Sequence, residues 1–272
     1  MAQCRFTELL DSSTTDPVNK ARLLAVSSKE SGAWLRALPA ASIGNLLDDN
    51  SLRIAVALRL GAPVSNRHQC VCSKSADPMG YHALSCRFSA GRHSRHAGVN
   101  AIVKRALNSA GVQSQLEPLG ISRADGKRPD GVTINPWSKG KCLCWDATIV
   151  CTMAISHLPA TSARAGAAAT SAEIRKREKY QCLSPNFLFA PLGFETLGPW
   201  GPDAKHLLST IGGHLHTMSG EPRPFDYLQQ RISIEIQRGN AASVLGSTPS
   251  SSNLDNLFLA PHPLTGAKRP RF

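Results

Sequence analysis

Two close pairs of cysteine and histidine residues have the types and spacing of zinc ligands. Cys70 and Cys72 are separated by one residue, and His82 and Cys86 by three. Thiolate and imidazole groups are ligands that Zn²⁺ prefers, and two short-spaced pairs joined by a loop can complete a tetrahedron around it. The surrounding segment has little apolar material to form a core. The pattern therefore predicts a structural zinc site.

Two other interpretations of these residues stay open. In the first, they are ordinary buried thiols and a surface histidine. In the second, Cys70 and Cys72 bind zinc together with Cys142 and Cys144, a second Cys-x-Cys pair that shares one face of a strand.

Two aspartates are candidates for a divalent-cation site. Asp130 follows Arg128 and Pro129, and Asp146 lies in the sequence Trp-Asp-Ala-Thr. Carboxylates on adjacent strands repel each other, and a hard cation such as Mg²⁺, held by one or two carboxylates with water and substrate phosphate, relieves that repulsion. The alternative is structural, with Asp130 capping a turn and Asp146 paired with an arginine.

A charged helix is predicted after the aspartates. Glu173, Lys176 and Tyr180 fall at helical offsets, and Lys179 lies beside Lys176. A lysine there can orient or polarise a water next to a metal-bound phosphate. A solvated helix face is the alternative explanation of such a charge-rich run.

The elements that position these residues are predicted to form a mixed α/β arrangement. Apolar residues at helical spacing predict a helix over 95–110. Residues 130–134 and 141–151 are expected to pair as a hairpin, which places Asp146 and Thr148 on one face and the apolar side chains on the other. The other predicted elements are an extended segment at 112–119, a strand within 186–198 and helices at 31–38, 52–60, 161–180, 203–208 and 225–238. For the helix at 52–60, the residues from Asp48 to Ser51 supply N-cap chemistry, and Gly61 is expected to end it in a left-handed conformation. Residues 1–30 are expected to form a loosely attached arm.

The charge of the chain indicates a polyanionic partner. It carries 31 Lys and Arg against 19 Asp and Glu, a formal net charge of +12, which most simply fits nucleic acid. No apolar run reaches the roughly 20 residues of a membrane span. No signal-peptide pattern is present either, so the cysteines are expected to be reduced in an intracellular, nuclear protein. The residues predicted to contact DNA are Arg92, His93, Arg95, His96 and Arg128.

The order of these motifs resembles the C-terminal part of site-specific non-LTR retrotransposon proteins. In that family a Cys-Cys-His-Cys zinc knuckle precedes a restriction-like endonuclease of the PD-(D/E)XK superfamily. The resemblance runs from about Trp34 to Asn240 and rests on the ordered combination of motifs. Besides those above, these are Glu117-Pro118, Lys-Arg-Pro-Asp-Gly, Ala-Glu-Ile-Arg-Lys-Arg-Glu-Lys-Tyr and Gln-Arg-Ile-Ser-Ile-Glu-Ile-Gln-Arg-Gly-Asn.

The resemblance implies a role for each residue of the candidate site. Thr148 stands where the motif lysine usually lies, so Lys176, or else Lys179, from the following helix would replace it, as happens in the retrotransposon group. Glu117 is implied as an assisting metal ligand. The implied catalytic residues are Asp130, Asp146, Lys176, Lys179 and Tyr180.

The resemblance also implies a fold and domain boundaries. The expected fold is α/β, with a restriction-endonuclease-like mixed sheet flanked by helices, an N-terminal helical segment and a small zinc knuckle. The expected segments are a helical part at 1–61, the knuckle at 62–94, the endonuclease domain at 95–244 and a disordered basic tail at 245–272.

The implied function is Mg²⁺-dependent nicking of DNA, with a structural Zn²⁺ and with DNA and element RNA as partners. Relatives carry this endonuclease behind a reverse transcriptase, but no Tyr-x-Asp-Asp occurs in this sequence, so we expect no reverse transcriptase activity. The alternatives are a zinc-knuckle DNA-binding module whose catalytic site has decayed and a fragment that does not fold alone.

Overall fold

A computed structural model describes residues 16–121, 126 and 128–247 of the chain. The first fifteen residues and the predicted basic tail beyond residue 247 lie outside this part. No helix in the described part is long and apolar enough to cross a membrane.

The N-terminal part is helical. Its elements are α1 (Pro17–Ser27), two 3-10 helices (Lys29–Arg36 and Ala41–Ile43) and α2 (Asp49–Leu60). Asp48 caps α2 by accepting a hydrogen bond from the backbone N–H of Ser51 at 3.0 Å, and Gly61 ends the helix in a left-handed conformation, as its sequence predicts.

The N-terminal helices share a core with the last helix of the described part of the chain. Ala21 and Ala25 of α1 are buried with Ile54 and Leu58 of α2 and with Val244, so the expectation of a loosely attached arm is wrong for the described residues before position 30. Alanines at that spacing give a weak apolar signal, and only the packing partner shows that they are buried.

A loop-rich segment follows α2. It contains a two-stranded antiparallel sheet of β1 (His68–Gln69) and β2 (Ser75–Ala76) and the short helix α3 (Tyr81–Ser85). The long helix α4 (Ala90–Ser109) comes next and includes the predicted helix.

The central sheet has four strands in the order β3-β4-β5-β6. These are β3 (Ser114–Leu116), β4 (Gly131–Thr133), β5 (Cys142–Val150) and β6 (Phe187–Glu195). β4 is antiparallel to both β3 and β5, which confirms the predicted hairpin, and β6 runs parallel to β5. A parallel pair requires a crossover, here made by α5 (Leu158–Thr161), α6 (Ala167–Lys179) and a 3-10 turn (Gln181–Leu183).

The main core lies on one face of this sheet. Leu143, Trp145 and Ala147 of β5 are buried there against α4 and against the C-terminal helices α7 (Pro202–Ser219) and α8 (Pro224–Leu245). Alternation along β5 turns Asp146 and Thr148 to the opposite face, toward α6. The protein is therefore a mixed α/β fold, as predicted, with a four-stranded mixed sheet packed against helices.

Candidate active site and metal centres

Asp130, the residue before β4, and Asp146 of β5 lie beside each other. The register of β4 and β5 pairs Gly131 with Trp145. Asp130 precedes Gly131 and Asp146 follows Trp145, so the two aspartates are adjacent to that pair. The backbone N–H of Ala147 donates to Asp130 Oδ2 at 2.7 Å, so the two strand segments are tied together at this level.

Asp130 is held by three donors on the same carboxylate oxygen. Besides Ala147, Oδ2 contacts His96 Nε2 at 2.8 Å and accepts from Asn100 Nδ2 at 3.1 Å. Burial opposes ionisation of Asp130, but the hydrogen bonds and the His96 charge outweigh it, so the pKa of Asp130 is lowered. The pKa of His96 is raised, chiefly by its hydrogen bond to Asp130. Asp130 is therefore ready to serve as an ionised ligand.

Asp146 is more deeply buried and pairs with the helix that follows. Its Oδ1 contacts Lys176 Nζ of α6, and its side chain is only 4% exposed. Burial, followed by the nearby charge of Asp130, raises the pKa of Asp146, while Lys176 and Tyr180 act in the opposite direction. Two carboxylates that affect each other's ionisation form the electrostatic setting in which a cation is favoured.

Tyr180 and Lys179 lie at the edge of this group. The Tyr180 hydroxyl donates to the backbone oxygen of Arg128 at 2.9 Å, and the Tyr180 ring is buried. Lys179 Nζ lies 5.7 Å from the centroid of that ring. The structure thus brings Lys176 into contact with a candidate metal ligand and positions Lys179 against an aromatic side chain.

Glu117 and Arg128 form an ion pair at the rim of the site. Arg128 Nη2 lies 2.9 Å from Glu117 Oε2, and the Glu117 side chain is 73% exposed. The backbone N–H of Glu117 donates to the backbone oxygen of Asp130 at 2.8 Å. Glu117 is therefore adjacent to Asp130 through its backbone, while its carboxylate binds Arg128.

Glu173 has a structural position. Its buried carboxylate accepts hydrogen bonds from the backbone N–H groups of Gly193, Asp203 and Ala204, at 3.0, 3.1 and 2.9 Å. It therefore links α6 to β6 and to the first turn of α7, where a helix offers unpaired N–H groups. Burial raises the pKa of Glu173.

The predicted zinc ligands converge at one point. The ligand atoms of Cys70, Cys72, His82 and Cys86 all lie within 4.8 Å of one another. The Cys70 and Cys86 sulfurs are 3.9 Å apart, and Cys72 Sγ is 3.2 Å from His82 Nε2. A tetrahedron with Zn–S bonds of about 2.3 Å has ligand separations of roughly 3.8 Å, so the donor set and its size fit a structural zinc ion.

Local structure around the cysteines supports this geometry. The carboxylate of Asp77 accepts from the backbone N–H groups of Tyr81 and His82 at 3.1 and 2.8 Å, which fixes the start of α3 and presents His82. Burial raises the pKa of the Cys70 thiol to about 11. A bound zinc ion is the group that would keep such a buried thiol deprotonated.

The alternative site with four cysteines does not form within the described part of the chain. Cys144 is fully buried beside Tyr180, and Cys142 lies on the same strand with its sulfur 3.5 Å from the backbone oxygen of Ile134. Among described residues, the only group of three or more histidine, cysteine or acidic side chains that could hold a metal ion joins the first Cys-x-Cys pair to His82 and Cys86.

The residues predicted to contact DNA fall into different environments. Arg92 and His93 are exposed on α4, but Arg95 is only 2% exposed. The Arg95 guanidinium donates to Asn240 Oδ1, Ser243 Oγ and the Gly239 backbone oxygen, at 2.9, 3.0 and 3.3 Å. Burial lowers its pKa to about 10. The expectation that Arg95 binds DNA is therefore corrected, because its side chain is buried and its Nη1 donates to residues of α8.

Sequence analysis missed two features of the carboxylate group. It interpreted His96 as a phosphate contact, whereas the imidazole binds Asp130, and it did not single out Asn100. These residues are four apart on α4 and therefore share a face. That spacing is the sequence signal that could have paired them.

Comparison with known proteins provides no independent assignment. No protein-family model matches the chain, and no curated protein matches it. The functional conclusion therefore depends on the chemistry of the residues themselves.

Proposed function

We propose that this protein is a Mg²⁺-dependent DNA endonuclease of the restriction-like type. The observation that carries the proposal is the convergence of Asp130, Asp146 and Lys176 from β4, β5 and α6. An arrangement of two carboxylates and a lysine, in a chain with a formal net charge of +12, fits hydrolysis of a phosphodiester. The motif order supports derivation from a non-LTR retrotransposon protein, with a nuclear location and element RNA as a further partner.

Each residue of the site has a defined task in this proposal. Asp130 and Asp146 would hold Mg²⁺, which supplies charge stabilisation to the phosphate when bound. Lys176 donates hydrogen bonds to the attacking water and holds it in line with phosphorus. The water oxygen would bond to phosphorus as the bond from phosphorus to the leaving sugar oxygen breaks, with the proton of the water passing to bulk solvent and the leaving oxygen taking up a proton from it. Tyr180 supports the site through its hydrogen bond to the backbone near Asp130.

The zinc cluster has a structural task. The knuckle contains only two-residue strands and one short helix. Its buried Val64, Ala83 and Leu84 pack against the surrounding helices, and Ala76 is the one non-cysteine side chain in the apolar cluster around the predicted ligands. Zinc binding supplies folding free energy to such a segment. The knuckle leads directly into α4, which carries the exposed Arg92 and His93 as well as His96.

A decayed DNA-binding module is the second candidate function. Thr148 stands at the place of the usual motif lysine, and its buried hydroxyl oxygen has no hydrogen-bond partner in the described part of the chain. If the lysines of α6 do not replace that group, the protein would bind DNA without cutting it.

Nicking of supercoiled plasmid by zinc-loaded protein, with and without Mg²⁺, tests the proposal. Asp130→Asn and Asp146→Asn are each expected to abolish Mg²⁺-dependent nicking while DNA affinity is retained or slightly raised, since each removes a metal ligand and also some repulsion of phosphate. Wild-type nicking by either variant would show that the two-aspartate assignment is wrong.

Lys176→Ala and Lys179→Ala form a matched pair on one helix. If Lys176 orients the water, its loss lowers turnover at saturating DNA by roughly a hundred- to ten-thousand-fold, whereas Lys179→Ala mainly affects binding. A turnover defect in Lys179→Ala alone would show that Lys179, and not Lys176, orients the water. Binding defects alone in both variants would favour the decayed module.

A further inference from the structure

Asn100 bridges the hydrophobic core and the carboxylate group. It lies on α4, is 4% exposed, and accepts a hydrogen bond at Oδ1 from Trp145 Nε1 at 3.0 Å. Its Nδ2 donates to Asp130 Oδ2 at 3.1 Å. An indole N–H can only donate, so the amide oxygen must face Trp145 and the amide NH₂ must face Asp130.

The core fixes this bridge in place. Trp145 is completely buried on the core face of β5, where its ring packs directly against Gly131. A side chain at position 131 would collide with the ring, so the glycine is what allows the indole N–H to reach Asn100. The orientation of the amide is therefore set by a completely buried side chain of the sheet.

The consequence is an unequal use of the two oxygens of Asp130. Oδ2 receives His96, Asn100 and the backbone N–H of Ala147, whereas Oδ1 accepts no hydrogen bond from the described residues. A carboxylate oxygen with three donors has little capacity left for a cation. The remaining oxygen of Asp130 is available to one.

We propose that Asn100 is a positioning residue that holds Asp130 with one oxygen saturated and the other free to bind a divalent cation. The inference rests on the proposed function, because it assigns the cation to Asp130 and Asp146. Partners that orient a metal ligand in this way typically contribute roughly ten- to a hundredfold to metal affinity.

Asn108 provides a matched control on the same helix. Its Oδ1 accepts from the backbone N–H and the hydroxyl of Ser114, each at 2.9 Å. Like Asn100→Ala, Asn108→Ala removes an amide that joins α4 to a strand. It leaves every hydrogen bond to Asp130 in place. A variant that only weakens the fold should resemble Asn108→Ala.

Calorimetric titration of the zinc-loaded protein with Mn²⁺, without DNA, tests the inference. Asn100→Ala is expected to weaken Mn²⁺ binding by roughly ten- to a hundredfold, while Asn108→Ala stays within about twofold of wild type. Trp145→Phe, which keeps an aromatic ring but removes the indole N–H donor, should give a smaller loss than Asn100→Ala.

Two outcomes separate this inference from the proposed function. Mn²⁺ binding that is lost in Asp130→Asn but unchanged in Asn100→Ala would overturn the role of Asn100 alone. Absence of Mn²⁺ binding by wild-type protein would overturn both the role and the cation site. Mn²⁺ binding that depends on Asn100 in a protein that does not nick plasmid would support the positioning role and refute the nuclease.

Discussion

Arg95 and Arg92 lie one helical turn apart on α4, and the structure predicts opposite consequences of losing them. Arg95 donates three hydrogen bonds to the last turns of α8, whereas Arg92 is exposed. Arg95→Ala is therefore expected to destabilise the fold with little effect on specific DNA contacts. Arg92→Ala is expected to weaken DNA binding and leave stability unchanged.

The magnitude follows from the contacts. Hydrogen bonds from a charged donor are worth about 1.5–3 kcal/mol each, but removal of the buried guanidinium also recovers part of its desolvation cost. The Arg95 side chain packs so closely against Gly239 that a Cβ at position 239 would collide with it. Truncation of Arg95 to alanine therefore leaves a cavity there. We expect a net loss of about 3 kcal/mol, typical of a broken buried network.

Urea denaturation and DNA binding at several salt concentrations distinguish the two arginines. Arg92→Ala should stay within about 0.5 kcal/mol of wild-type stability and lower the log-log salt slope of DNA binding by about 0.9, the loss of one phosphate contact. Arg95→Met, which retains apolar volume, should recover part of the loss in Arg95→Ala. Normal stability with a reduced salt slope in Arg95→Ala would refute the reasoning.

Two further predictions concern the metal and a buried acid. The purified protein should contain one zinc per chain by elemental analysis, lost in Cys86→Ala and retained in Cys144→Ala; absence of zinc from wild-type protein would contradict the knuckle. Burial raises the pKa of Glu195, which is 0% exposed, so its folded form keeps a proton that the unfolded chain loses above about pH 4.3. The contribution of Glu195 to stability therefore falls as the pH rises from the pKa of the unfolded chain toward the raised pKa of the folded protein. Glu195→Gln should show a flatter urea-stability profile between pH 4 and 8, and a profile parallel to wild type would argue against this.

The sequence by itself determined the features that depend on neighbours in the chain. The spacing of Cys70, Cys72, His82 and Cys86 was sufficient to predict a metal cluster, because a short loop can bring two close pairs of ligands together. The hairpin and the inward face of β5 followed from strand alternation, which has a period of two residues. The caps of α2 followed likewise from the local chemistry of Asp48 and Gly61.

Only the tertiary structure decided what each charged side chain contacts. The spacing of Lys176 and Lys179 does not distinguish them, but the packing of α6 on β5 puts Lys176 against Asp146. Arg95 and His96 are neighbours in the same basic stretch of sequence. In the structure the Arg95 side chain packs against α8, whereas the His96 side chain contacts Asp130. Burial and hydrogen-bond partners come from elements distant in the chain, so the local pattern of residues does not contain them.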